Sequence, residues 1–433
     1  MSRRAFIAIG ALTVLGVVLR QDLLLLISVL LWLVAGAATL WSRYCLVALS
    51  YRRQLDATRL YLGEETELRM EIVNAKPLPL PWLRIDDAIP AAISMTSQQL
   101  EEEESGAMRR LVTVLSMRWY ERVIRRYRIR GTQRGVWTFG PAQIRSGDIF
   151  GFDIRRRIED TPSTLLVYPR IVPVTMLGLP ARYPLGDLQT PRRVVEDPLR
   201  IMGVRDYVPG DNFRHIHWKA TAHSQTLQTK LFDPSSSQPI ALFLNINTAE
   251  FFNDGYDLAQ REFAITAAAS LARHFWLEKK PVGLYANALI PGSMQHIRIR
   301  PRYHPEQLEQ LLVALAQISD VRGRWALDVL LQMEAAGLPY GATVVVITAV
   351  LTPRLVQTLL DLRRREYAVV LLTLGDARWP RPLPNIHYHH LELDAQLAEA
   401  MCAATSNAPL AEQQRTESSG RKEEHVIAKI NLV

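Results

Sequence analysis

The densest group of side chains able to do chemistry is Arg205-Asp206-Tyr207-Val208-Pro209-Gly210-Asp211, followed closely by Arg214, Ile216, Trp218 and Lys219. Asp206 or Asp211 could serve as a general base, provided a nucleophile or a held water lay within hydrogen-bond reach. No such companion is evident: the chain has no Gly-x-Ser-x-Gly, Walker-type phosphate loop, Gly-x-Gly-x-x-Gly or Cys-x-x-Cys. His215, His217 and His223 invite a zinc reading, because imidazole is a common ligand. On a helix, however, positions 215 and 217 point about 200° apart, and no cysteine lies near. Recognition suits the segment better. Arg and Trp anchor protein interfaces, and a loop stiffened by internal ion pairs is a good platform. Arg205, Asp206, Tyr207, Pro209, Gly210, Asp211, Arg214, Trp218 and Lys219 are therefore the candidate partner-binding residues, with no catalytic residue and no cofactor expected. The same charges would also serve as a salt-bridged belt between domains, with Trp218 as a core anchor.

Locally, Pro209-Gly210 suits the centre of a type II turn and Asp211 suits the cap of a following helical turn. Phe213, Ile216, His217 and Ala220 would then share one helical face. Two domains must flank this stretch. Before it, residues 55–170 alternate apolar and polar with period two, as in 66–73, 111–117, 122–130 and 165–168, which predicts a β-sandwich. In 122–130, arginines 122, 126, 128 and 130 fall on one face, a solvated surface or a dock for an acidic partner. After it, strand and helix patterns alternate over 239–405: strands at 240–246, 282–286, 343–348 and 368–374, helices at 257–279, 305–319, 353–365 and 394–403. This predicts a mostly parallel sheet with helices on both faces. Residues 171–238 are read as a linker carrying the motif, and 406–433 as a disordered tail, whose last residues, 425–433, could dock.

The N-terminus is apolar from Ala5 to Trp41 except at Arg20, Gln21 and Asp22. Residues 23–41 can cross a hydrocarbon core of about 30 Å. With the shorter run before them they predict a transmembrane hairpin over residues 1–50. Arg3 and Arg4 before it, and Arg43, Arg52 and Arg53 after it, would place both ends in the cytoplasm. Two cysteines, Cys45 and Cys402, give no disulfide framework for 433 residues, in keeping with a reducing compartment. A net charge of +8 without a nucleic-acid motif fits a neighbour of anionic lipid better than a binder of nucleic acid.

The Arg-Asp-Tyr and Pro-Gly-Asp signature with the following Arg, Ile and Trp resembles the domain of unknown function 58 family. So do Leu80-Pro81-Trp82 with the acidic pair after it, Arg145-Ser146-Gly147-Asp148 with Phe150-Gly151, Tyr168-Pro169 and residues 281–286. One departure is His223, where the family has arginine. The resemblance implies two N-terminal transmembrane helices, a β-sandwich and then a von Willebrand factor A-like (Rossmann-like) α/β domain in a bacterial inner-membrane protein with cytoplasmic domains. It also implies company with a MoxR-type AAA+ ATPase and a transglutaminase-like membrane protein. The expected role is an adaptor or scaffold in assembly or maintenance of envelope complexes, not an enzyme. A-domains that bind through a metal use an Asp-x-Ser-x-Ser loop. Here that position reads Asn245-Ile246-Asn247-Thr248-Ala249, a degenerate loop that predicts no working metal site. A metal-dependent ligand binder and a hydrolase remain the alternatives.

Overall fold

The computed structural model describes residues 3–95, 101–102, 108–148, 153–180, 196–209, 211–234, 238–250, 256–318, 323–339, 341–380 and 383–392. The expected helix at 394–403, the tail and Phe150-Gly151 lie outside them. Two compact units part between Tyr168 and Pro169.

The first unit opens with α1 (Arg3–Val18) and α2 (Asp22–Tyr44), joined by a turn in which Arg20 takes a positive φ of 49°. The helices fold back on each other: the Trp32 ring lies tilted against Phe6 at 5.9 Å, and its indole N–H donates to Thr13 Oγ1 at 3.2 Å. Among the described residues only α2, at 23 residues, is long and apolar enough to cross a membrane. α1 has 16 residues, about 24 Å at 1.5 Å per residue, short of a ~30 Å core. Of the two spanning helices expected, one has sufficient length and the other is a shorter apolar companion. Leu23, Leu26, Leu30 and Leu33 on α2 are more than half exposed.

Four residues separate α2 from the first strand, and three of their carbonyls, with that of Leu49, are held by distant cations. Lys76 Nζ donates to the carbonyls of Cys45 and Val47 at 2.7 and 2.8 Å, and Arg157 donates to those of Leu46 and Leu49 at 3.0 and 2.6 Å. These donors satisfy groups that a helix end otherwise leaves open. Burial lowers the Lys76 ammonium pKa from its ordinary value. Ser42, in the last turn of α2, donates to Asp153 at 2.7 Å.

The strands that follow are β1 (Leu49–Leu55), β2 (Arg59–Tyr61), β3 (Glu65–Asn74), β4 (Leu80–Pro90), β5 (Ile93–Met95), β6 (Glu101–Glu102), β7 (Met108–Met117), β8 (Arg122–Gly131), β9 (Gly135–Phe139), β10 (Ala142–Gly147), β11 (Ile154–Glu159) and β12 (Ser163–Tyr168). They form sheets ordered β1-β3-β8-β5, β11-β10-β4-β7-β6 and β2-β12-β9. All pairings are antiparallel except β2 with β12. One apolar core joins strands of all three sheets, with Leu68, Ile72, Leu83, Ile85, Ile129 and Ile144 fully buried. In β8, Tyr127 and Ile129 point inward while Arg126, Arg128 and Arg130 are exposed. Their charge is not unopposed. Arg122 pairs with Glu71 at 2.8 Å, and Glu67 and Glu65 stand in register opposite Arg128 and Arg130.

Strand β4 carries the acidic pair. Asp87 is fully buried, accepting from Arg53 at 2.5 and 2.9 Å and from Tyr51 at 2.7 Å. Arg53 therefore cannot count among the exposed charges that follow α2. Burial alone would lower the Arg53 pKa, but Asp87 outweighs it and the guanidinium is held charged. Its neighbour Asp86 binds Arg84 at 2.8 Å and closes on Arg145 of the Arg-Ser-Gly-Asp motif. Burial would raise the Asp86 pKa; the hydrogen bonds from the two arginines prevail and depress it below its ordinary 3.8. A depressed carboxyl contributes stability that is present above its unfolded pKa and lost as pH falls through the folded one. The urea midpoint of the wild type should accordingly fall between about pH 4 and pH 2 more steeply than that of Asp86→Asn; parallel titrations of the two would contradict this assignment.

The second unit begins with a 3-10 turn, Val174–Leu177, and the antiparallel pair β13 (Glu196–Asp206) and β14 (Gln228–Pro234). Between these strands lie a 3-10 turn, Phe213–His215, and the short helix α3 (Trp218–Ser224). The stretch expected as a linker thus has its own secondary structure. There follow β15 (Ile240–Leu244), α4 (Leu258–Leu277), β16 (Val282–Leu289), β17 (His296–Arg302), α5 (Gln307–Ala316), α6 (Leu327–Ala335), β18 (Thr343–Thr348), α7 (Pro353–Arg364), β19 (Ala368–Thr373) and β20 (His387–His390). The six-stranded sheet runs β17-β16-β15-β18-β19-β20, with β17 alone antiparallel. Ala241, Phe243, Val344 and Val346 pack with α6 and α7 on one face, while α4 covers β15, β16 and β18. Asp257 caps α4 by accepting from Gln260 N–H at 3.1 Å, and Thr352 caps α7. The connection from β18 to α7 is short, residues 349–352. The chain leaves β15 toward β16 and leaves β18 toward β19, so a switch point lies between the carboxyl ends of β15 and β18.

Candidate functional site

The signature residues build a turn held from inside. Val208 carbonyl accepts from Asp211 N–H at 3.0 Å across Pro209 and position 210, closing a β-turn. Gly210 itself lies outside the described residues. Asp211 does not cap the next helical turn as expected. Its carboxylate instead accepts from Arg205 at 2.7 Å, Val208 N–H at 3.1 Å and Thr229 Oγ1 at 3.3 Å. The Arg205 bond above all, then the Val208 amide, hold its carboxyl below the ordinary range. Asn212 supplies the cap, accepting from Arg214 N–H at 3.1 Å. Asp206 ends β13 and accepts from Gln228 on β14 at 2.5 Å. Tyr207 N–H donates to Leu227 carbonyl at 2.8 Å, and its ring stacks on Phe213 at 5.8 Å.

The expected single helical face is not formed. Ile216 has extended backbone and bridges to Thr229, and His217 caps α3, its Nδ1 accepting from Ala220 N–H at 3.0 Å. Of the four residues assigned to that face only Ile216 is buried, at 2% exposure. Trp218 is not a core anchor: it is 68% exposed, and Phe213 is 70% exposed. Val208 is exposed too, as are Arg214 and Lys219. Among the described residues no group of three or more His, Cys, Asp or Glu stands close enough to hold a metal. The arrangement offers a stiff backbone with aromatic, aliphatic and cationic side chains facing water.

A second constellation occupies the switch point. Asn245 Nδ2 donates to Thr348 at 2.9 Å, while its Oδ1 accepts from Asn287 Nδ2 at 2.8 Å and Asn247 N–H at 3.1 Å. Asn287 Oδ1 accepts from Ile246 N–H at 2.9 Å, and its Nδ2 also reaches Trp325 carbonyl at 3.1 Å. Asn247 Oδ1 accepts from Gly323 N–H at 2.7 Å. Asn245, Asn287 and Thr348 are buried. The amide oxygens that would face a cation are thus committed to protein donors, and the donor set lacks the carboxylate a hard cation favours. Sequence reasoning flagged Asn245 and Asn247 but missed Asn287 and Thr348, which come from the ends of neighbouring strands.

These features define a class: a protein led by an apolar helix, with a β-rich unit and then a doubly wound α/β unit that carries a pinned, solvent-facing turn. The chain belongs to the DUF58 family, described as a protein of unknown function, whose match covers residues 203–418. It is 26% identical over 230 residues to the uncharacterized protein YeaD of Bacillus subtilis, a match covering 50% of this chain and 52% of that one. The chain thus spans about half the length of the curated relative it matches. Among solved structures, a CARDB domain from Pyrococcus furiosus covers 28% of this chain and 91% of its own length at 11% identity and TM-score 0.19. A cohesin module from Clostridium perfringens covers 28% and 96% at 12% identity and TM-score 0.20. Likeness at this level bears on neither function nor overall fold.

Proposed function

We propose that the chain is a membrane-anchored adaptor that docks partner proteins on the turn between β13 and β14. The observation that carries this reading is Phe213 and Trp218, each about 70% exposed on a backbone fixed by Asp206, Asp211, Asn212 and His217. Large aromatics held in water by a rigid frame lose little entropy on docking and dominate interface energies. Arg214 and Lys219 beside them favour a partner with acidic groups at the rim. The partner of first choice is a MoxR-type AAA+ ATPase, with a transglutaminase-like membrane protein as a further component. In this reading the ATPase supplies nucleotide turnover, and this chain supplies recognition and location without chemistry of its own. The anchoring part rests on the length and apolar, exposed side chains of α2; α1 would be a second, thinner crossing, and Arg3, Arg4, Arg43 and Arg52 favour a cytoplasmic side for both units at a bacterial inner membrane. The shared core of the first unit supports a sandwich. The strand order of the second, with one antiparallel strand, supports a von Willebrand factor A-like domain whose metal loop has been replaced by amides.

The test is affinity purification of the detergent-solubilised chain, wild type beside Phe213→Ala with Trp218→Ala. Neither side chain is buried, so the melting temperature should hold. Recovery of an AAA+ ATPase should drop tenfold or more. If no ATPase is recovered even after crosslinking, the partnership fails; if the variant recovers it fully, the turn is not the docking surface.

A further inference from the structure

An open groove of about 700 Å³ lies where α2 meets β11, lined by Arg43, Arg155, Arg156 and Arg157 with Ser42 and Val47. That volume falls within the roughly 300–1,000 Å³ typical of small-molecule sites. Four arginines line it, and among the described residues two carboxylates pair with them: Asp153, 3.3 Å from Arg155, and Glu159, 2.6 Å from Arg157. Hydrogen bonding by Ser42 above all, and the Arg155 charge, hold the Asp153 carboxyl below its ordinary range, so it stays an anion already in use. Among the described residues Arg43 and Arg156 have no ion-pair partner, and the buried Nε of Arg157 has no hydrogen-bond acceptor. The surroundings are greasy as well as basic. Ile154 and Ile158 bracket the arginines on edge strand β11 at 59% and 63% exposure, and Val47 and Tyr44 are 53% and 47% exposed. Exposed isoleucines on the edge strand beside the end of an apolar helix fit an interface between headgroups and acyl chains. Since Lys76 and Arg157 already neutralise the carbonyls there, the helix end presents no bare negative pole to an anion.

We propose that this groove binds the headgroup of an anionic phospholipid, its phosphate held by Arg43 and Arg156 in the fork geometry that guanidinium groups offer, with Ile154 and Ile158 against the acyl region. The proposal rests on the anchoring reading and adds a selective lipid site to it. The experiment uses the full chain in mixed micelles offered phosphatidylglycerol or phosphatidylcholine, with retained lipid counted by native mass spectrometry. Wild type should retain phosphatidylglycerol about tenfold over phosphatidylcholine. Arg43→Ala with Arg156→Ala should lose that preference at an unchanged melting temperature. Arg126→Ala with Arg128→Ala, which removes equal charge from the outer face of β8, should keep it. Equal retention of both lipids, or equal loss in both variants, would overturn the site. Stabilisation by inorganic phosphate alone, without lipid preference, would assign the groove to a free anion and overturn the lipid proposal. Carbonate extraction of native membranes separates the two readings: release of the wild type removes the anchor itself, whereas retention with no lipid preference removes only the site.

Discussion

Asp87→Ala is expected to destabilise the first unit by about 3–5 kcal/mol, the usual cost of leaving a buried charge without its partner. Arg53 would keep its charge, because a guanidinium stays protonated in proteins, and with 1% of its side chain exposed it would be buried without, among the described residues, another carboxylate to pair with. Tyr51 would lose the acceptor of its hydroxyl, now 2.7 Å away. In the wild type, burial first and then the Asp87 charge push the Tyr51 hydroxyl pKa far above its ordinary value. A marginally stable unit has only about 5–15 kcal/mol in hand, so the loss should be plain in a urea titration of the solubilised chain. Arg53→Met with Asp87→Leu should recover much of it, since an apolar pair leaves no orphan charge. A loss below about 1 kcal/mol for Asp87→Ala would mean that water reaches Arg53 and that the pair is not a keystone of this core.

The second large effect is expected at the switch point. Asn287→Ala should cost about 3 kcal/mol or more, because it strands Ile246 N–H and the Trp325 carbonyl in a buried site and takes from Asn245 Oδ1 one of its two donors. Amides near Ile246 and Gly323 should exchange with solvent faster, since Asn247 holds Gly323 across the same crevice. Asn287→Asp leaves the acceptor but removes the donor and adds charge. Divalent cation should leave the melting temperatures of wild type and Asn245→Ala unmoved; a rise with wild type alone would restore the metal-dependent reading of the loop.

The strong periodicities were legible. Period two over 66–73 and 122–130 became β3 and β8, and the apolar runs at 343–348 and 368–374 became β18 and β19. What escaped has physical reasons. β13 contains Pro198, which argues against a strand, and its pairing with β14 shifts register twice, so neither strand alternates cleanly. β20 is a four-residue edge strand, too short to show a period. At 213–220 an apolar spacing of helical type was real, yet His217 turned into a cap and broke the helix before it began. The exposure of Trp218 could not be read from its type, because aromatic content marks cores and interfaces alike. The candidate turn was legible as residues, its internal wiring only partly: the Arg205 to Asp211 bond follows from charge, whereas Gln228 and Thr229 enter from a strand the pattern did not reveal. Asn245 likewise meets Thr348 at a separation of 103 residues, which no local spacing announces.

The junction between α2 and β1, inside the first unit, has a mechanical meaning. With Lys76 and Arg157 grasping the connection between α2 and β1, there is no leash there; the helix and the first sheet turn as one bracket. A leash would let the unit sweep a wide volume and meet partners by diffusion at any orientation. A bracket sets its height and heading instead. If α2 is seated in a bilayer, any roll or tilt of that helix becomes a swing of the strands fastened to it, and a pull on those strands is felt in the lipid.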